Sequence, residues 1–218
     1  MRQHQLRIMA ASVNADIEYV GSATADFSST SIDLSGIGLL PGDLVLTVTA
    51  AMNEGGDWIT PTGWTRRSSF SVYYARTSLN YKIMSSPVDT STGALKSGTA
   101  VSVAIAFRNT KTTAPAVAYV TQNKNPPSVS FGSGNVFCLA AYTQGTFGAT
   151  PTLTPPSGFT MATQVTDASS SKSATVAVAY LNILDEDNTG SYNPGSFVAS
   201  PNTYDSIITT SMAIEQEA

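Results

Sequence analysis

The sequence predicts an all-β fold built as two tandem, similar β-sandwich or jelly-roll-like domains. Three observations carry that expectation. Extended runs of five to nine residues recur between clusters of Gly, Pro, Ser and Asn, while helical periodicity is nowhere sustained over a helix length. Only 12% of the residues are charged, about half the usual share, and Ser, Thr, Gly and Ala are abundant where a helical protein would carry Leu, Glu, Lys and Arg. Most tellingly, the chain repeats itself.

The repeat is anchored by Thr60-Pro61-Thr62-Gly63-Trp64-Thr65, which returns as Pro155-Pro156-Ser157-Gly158-Phe159-Thr160. Its flanks return in the same order. Tyr19-Val20 answers to Tyr119-Val120, and Ser31-Ile32-Asp33-Leu34 to Ser128-Val129-Ser130-Phe131. Gly42-Asp43-Leu44-Val45-Leu46 answers to Gly134-Asn135-Val136-Phe137-Cys138, and Tyr81-Lys82-Ile83 to Tyr180-Leu181-Asn182. The offsets of 100, 97, 92, 95 and 99 residues vary as loop insertions and deletions make them vary. The implied division is an arm over residues 1–15, a first domain over 16–109, a linker over 110–115 and a second domain over 116–218.

Each element has a local reason. Ile17–Val20 and Ser31–Leu34 read as short strands, and Pro41-Gly42 is a turn signal. Asp43–Ala51 is the best strand of the first half: Leu44, Leu46, Val48 and Ala50 share one face, opposite Val45, Thr47, Thr49 and Ala51. In the Pro-x-Gly-aromatic turn, Pro fixes φ, Gly supplies positive φ, and the aromatic drops into the core. Val72-Tyr73-Tyr74 and Leu79–Met84 read as extended, and Val101, Val103, Ile105 and Phe107 align along a second strong strand. Its weaker counterpart is read on Ile207, Thr209, Ser211 and Ala213. Trp64, Phe159, Leu46, Val103 and Phe137 are the expected core residues.

Charge narrows the function classes. Residues 1–114 hold nine Lys/Arg against eight Asp/Glu, and residues 115–218 hold two against seven, within a net charge of −4. No clustered basic surface for nucleic acid emerges. No window approaches the ~18 apolar residues of a membrane helix, and the N-terminus shows no secretory cleavage pattern. The one cysteine, Cys138, lies in an apolar run and reads as a small buried hydrophobe.

The chain offers little chemistry. The single histidine, His4, falls in the arm without nearby metal-ligating residues. No Walker loop, dinucleotide fingerprint or nucleophile elbow occurs, so no cofactor, metal or catalytic residue is expected. Glu54 with Asp57, and Asp185-Glu186-Asp187, are the only carboxylate groupings with the makings of a hydrolase pair. Asp185 to Gly190 opens like a calcium loop, but Ser196 stands where the bidentate Glu belongs. Assembly contacts are expected from the arm (Arg2, His4, Arg7) and from the loop carrying Glu54, Asp57 and Trp58.

The order of the Gly42-Asp43-Leu44-Val45-Leu46 strand, the Pro61-Thr62-Gly63-Trp64-Thr65 turn, the Tyr81-Lys82 strand and the Val103-Ala104-Ile105-Ala106 strand resembles modules in virion structural proteins of tailed bacteriophages. Such modules occur in tail proteins and capsid decoration (cement) proteins. The resemblance covers roughly residues 17–108 and 116–214, and the second copy departs from it at Phe159 and Leu181-Asn182. It implies a non-enzymatic component of the virion, made in the host cytoplasm, that stabilises the head as a homotrimer bound to the major capsid protein. The alternative it implies is a tail or fibre module binding a host-surface glycan through Trp58, Tyr192 and Tyr204.

Overall fold

The structure is a computed structural model describing residues 16–52, 58–96, 100–147, 150–169, 172–201 and 206–217. The arm residues Arg2, His4 and Arg7, the loop residues Glu54 and Asp57, and Tyr204 lie outside the described residues. The strands are β1 (Glu18–Ala25), β2 (Leu44–Met52), β3 (Thr65–Val72), β4 (Ala75–Ile83), β5 (Val101–Arg108), β6 (Ala116–Thr121), β7 (Val129–Ser130), β8 (Val136–Thr146), β9 (Thr152–Thr154), β10 (Thr160–Ser169), β11 (Lys172–Ile183), β12 (Ser191–Tyr192), β13 (Val198–Ser200) and β14 (Ile207–Glu215). Among the described residues the helical content is one 3-10 turn, Asp185–Asp187. The all-β expectation therefore holds.

Two five-stranded antiparallel sheets dominate. The first runs β1-β5-β2-β4-β3, and the second runs β6-β14-β8-β11-β10. Read in that direction, the strands correspond one to one by their place in each half. Smaller features correspond too. Gly63 (φ 80°) and Gly158 (φ 84°) occupy the third position of turns closed by Trp64 N–H to Pro61 and Phe159 N–H to Pro156, each 3.0 Å. That is where a type II turn needs positive φ. Bulges fall at Arg66–Ser68 in one half and Met161–Thr163 in the other. The isolated pair Trp58–Lys96 occupies the place that the β9–β13 pair Leu153–Ala199 takes in the second half.

The two sheets pack against each other. Leu44, Leu46, Val48, Ala50, Leu79, Val103, Ile105 and Phe107 of the first meet Phe137, Leu139, Ala141, Val176, Val178, Met212 and Ile214 of the second in one buried cluster. Rings cross the interface at Phe107–Phe137 (5.2 Å between centroids), Tyr19–Tyr180 (4.8 Å) and Phe70–Tyr119 (3.5 Å). The inner face of each sheet thus finds its partner in the other half, and the two sheets together make one sandwich.

The outer faces are covered by loops. Ile32, Leu34, Ile37, Leu39 and Leu95 lie over Val45, Ala104 and Ala106, with Trp64 in the same cluster. Val129, Leu153, Phe159 and Phe197 lie over Cys138, Ala140, Ala177, Ala179 and Ala213. The floor beneath these loops is mostly alanine, which lets irregular backbone lie close at interior packing density. The composition, rich in Ala and poor in Leu, reflects that construction.

Two sequence expectations require correction. The 92-residue offset pairs Leu44 with Val136, yet Leu44 faces the shared core and Val136 faces the loops. The strands agree at an offset of 93, which sets Leu46 against Leu139; these pair with Tyr81 and Tyr180 respectively. A shift of one residue moves every side chain to the opposite face, so the glycine turn and the strand after it cannot share one offset. Likewise the core-facing side of β14 carries Met212 and Ile214, not Ile207 and Ala213, which pack under the loops.

The segment joining the halves is tied down. Lys111 N–H donates to the Glu215 carbonyl (2.9 Å), its ammonium pairs with the Glu215 carboxylate, and Glu217 N–H donates to Asn109 (3.2 Å). That pairing, with Gly132 N–H donating to the same carboxylate, holds Glu215 below the usual carboxylate range.

Candidate functional site

At one end of the sandwich β3 turns into β4 through Tyr73 and Tyr74 alone. Val72 pairs with Ala75, so the two tyrosines form a two-residue hairpin turn. The extended reading of Val72-Tyr73-Tyr74 is therefore corrected. Such turns favour Asn and Gly because they require positive φ. Tyr73 nonetheless sits at φ 38°, a region costly for a bulky residue. Both rings face outward, Tyr73 70% exposed and Tyr74 50%.

The second half buttresses this turn. Tyr74 N–H donates to the Ser206 hydroxyl at 2.9 Å. Gly145, near the end of β8, lets the Tyr74 carbonyl approach so closely that a Cβ there would stand 2.4 Å from the oxygen. Two residues further on, Phe147 is 55% exposed and meets Tyr74 edge to face at 4.9 Å. Three outward aromatic rings from both halves therefore form one fixed tip.

Trp58 lies on the same flank. It is half-buried, with the Arg76 guanidinium 5.6 Å from its ring centroid and its carbonyl accepting from Arg66 at 2.8 Å. Its bridge partner Lys96 is buried; the ammonium donates to the Ala100 carbonyl at 2.6 Å and lies 5.8 Å from the Phe27 ring. Burial pushes its pKa down to about 8, against the pull of the Asp167 and Asp26 carboxylates. Asp167 also accepts from Phe27 N–H at 2.8 Å, joining the two halves at that edge.

The remaining sequence candidates do not converge on this tip. Tyr192 is half-buried against Phe159, at 5.9 Å between centroids. Asp185 accepts from Gly134 N–H (2.7 Å), and Asn188 donates to the carbonyls of Gly132 and Gly134. That acidic turn works as a clasp on the Gly134 loop, at the end of the sandwich away from the tyrosines. Among the described residues no group of three His, Cys, Asp or Glu could hold a metal ion. Cys138 is buried, which pushes its thiol up to about 12. Sequence reasoning singled out Trp58 and passed over Tyr73, Tyr74 and Phe147. The missed signal was a tyrosine pair where the sequence between β10 and β11 has Ser170-Ser171.

Comparison with family models, with curated proteins and with solved structures gives no match to this chain.

Proposed function

We propose that the chain is a non-enzymatic structural protein of a tailed-bacteriophage virion, a capsid decoration protein that stabilises the head as a homotrimer on the major capsid protein. The resemblance of the Pro61–Thr65 turn and its flanking strands suggests the class. The single observation supporting an assembly role is the matched strand order of the two sheets. On this reading the chain is one sheet-and-loop unit written twice, and three copies present six similar lobes to a quasi-sixfold surface. Many weak contacts then add because the lattice holds them together.

Sedimentation of the purified chain, alone and with genome-free expanded shells of the phage that encodes it, tests this. A trimer that pellets with the shells is expected. A strict monomer that leaves the shells bare refutes it.

The exposed rings of Tyr73, Tyr74 and Phe147 favour one alternative, a tail or fibre module whose aromatics stack on a host-surface glycan. A glycan array separates the two readings.

A further inference from the structure

We infer that the Tyr73–Tyr74–Phe147 tip is the surface by which this chain docks, and that it seats in an apolar pocket of a protein surface repeated over the shell. The inference rests on the decoration reading and adds the residues that make the contact.

Strain comes first. A two-residue turn with a tyrosine at φ 38° is a poor choice for folding alone, and the sequence between β10 and β11 has Ser170-Ser171 at the matching place. Backbone strain at an exposed position persists where something other than stability retains it. Rigidity comes second. Ser206 and the close approach at Gly145 fix the turn from the other half, and Phe147 braces Tyr74. A preorganised aromatic surface loses little side-chain freedom on binding.

Size and composition then choose the occupant. At 70%, 50% and 55% exposure, and with aromatic side chains carrying ~150–250 Å² each, the rings offer on the order of 350 Å². A stable pair of free proteins buries about 800 Å² per partner. The tip alone is too small to hold two copies together in solution, and it suits a contact multiplied over a lattice. Tyrosines beside the Trp58–Arg76 pair match the residues that dominate protein–protein hot spots.

The test is co-sedimentation with genome-free shells of the encoding phage. It compares wild type, the Tyr73→Ser/Tyr74→Ser double variant, Phe147→Ser, and Leu40→Ser as an equally exposed control at the other end of the sandwich. Wild type and Leu40→Ser should pellet alike. The double variant and Phe147→Ser should lose about thirtyfold or more in apparent affinity, a hot-spot loss, while their melting midpoints stay near that of wild type. Undiminished binding by both tip variants overturns the inference and leaves the decoration reading standing. Release of wild type from shells by soluble oligosaccharides overturns it in favour of a glycan. A wild type that never pellets removes the decoration reading and this inference with it.

Discussion

The two halves of the molecule share a strand order and a turn geometry, yet they part company at one end of the sandwich. Where the first half has the bridge Trp58–Lys96, the second has Leu153–Ala199. Where the first turns on Tyr73-Tyr74, the second has Ser170-Ser171 in the sequence between β10 and β11. The second member of each pair is the choice that folding alone explains: a small or apolar residue in a ribbon, small polar residues between two strands. The first member is larger, charged or strained. The common scaffold is what both halves need to fold, and the departures from it gather at one end of the sandwich.

The largest effects test what is common. Trp64→Ala and Phe159→Ala each remove a buried aromatic at the end of the same turn and should each cost roughly 3–5 kcal/mol. Urea midpoints of the two variants measure this. A large loss in one and none in the other would break the equivalence of the two turns.

Next comes the contact through which one half shapes the other. Gly145→Ala places a Cβ 2.4 Å from the Tyr74 carbonyl oxygen and should cost about 1–3 kcal/mol by overpacking. Gly36→Ala, where nothing lies within 4 Å, should stay within about 0.5 kcal/mol. Equal stability of the two variants in urea would mean that the second half does not pin the tyrosine turn.

Lys96 gives a pH signature that Ala199 cannot. Its folded pKa of about 8 lies below the ordinary lysine value of 10.5. Between those values the unfolded chain holds a proton that the folded chain has released, so this group makes stability rise with pH across that window. Below pH 8 both states are protonated and the burial penalty is carried in full. Lys96→Met removes the rise, so its stability advantage over wild type should shrink from pH 7.5 to pH 9.5. A constant difference between the two proteins would contradict the burial of that ammonium.

The smallest effect concerns the Lys82–Asp89 pair at 2.6 Å, which the second half replaces with Leu181 at the lysine position. It is partly exposed, so Asp89→Asn should cost no more than about 1 kcal/mol in low salt and less in high salt. A salt-independent loss would assign the aspartate a different role.

Much of this architecture is legible in the residues. Alternation along Leu44 to Ala50 and Val101 to Phe107 identifies the core faces of β2 and β5, and the Pro-x-Gly-aromatic turn announces its own geometry. What local pattern cannot state is which surface each apolar face meets. β8 opens with an unbroken apolar run, Val136 to Tyr142, so both of its faces look apolar and the sequence offers no phase; the one-residue offset error follows from that. The tyrosine tip is hidden for a different reason. A turn without Gly, Asn or Asp gives no turn signal, and the residues that hold it, Gly145 and Ser206, lie far along the chain.

The central claim is that the two sheets fold as one body because they bury each other's apolar faces. Differential scanning calorimetry of the intact chain tests it most directly. At ~0.7 kcal/mol per residue near 60 °C, a single transition with a van't Hoff enthalpy of about 150 kcal/mol, equal to the calorimetric value, is the predicted result. Two resolved transitions, or one whose van't Hoff enthalpy is half the calorimetric enthalpy, would show two independent folding units and contradict the shared core.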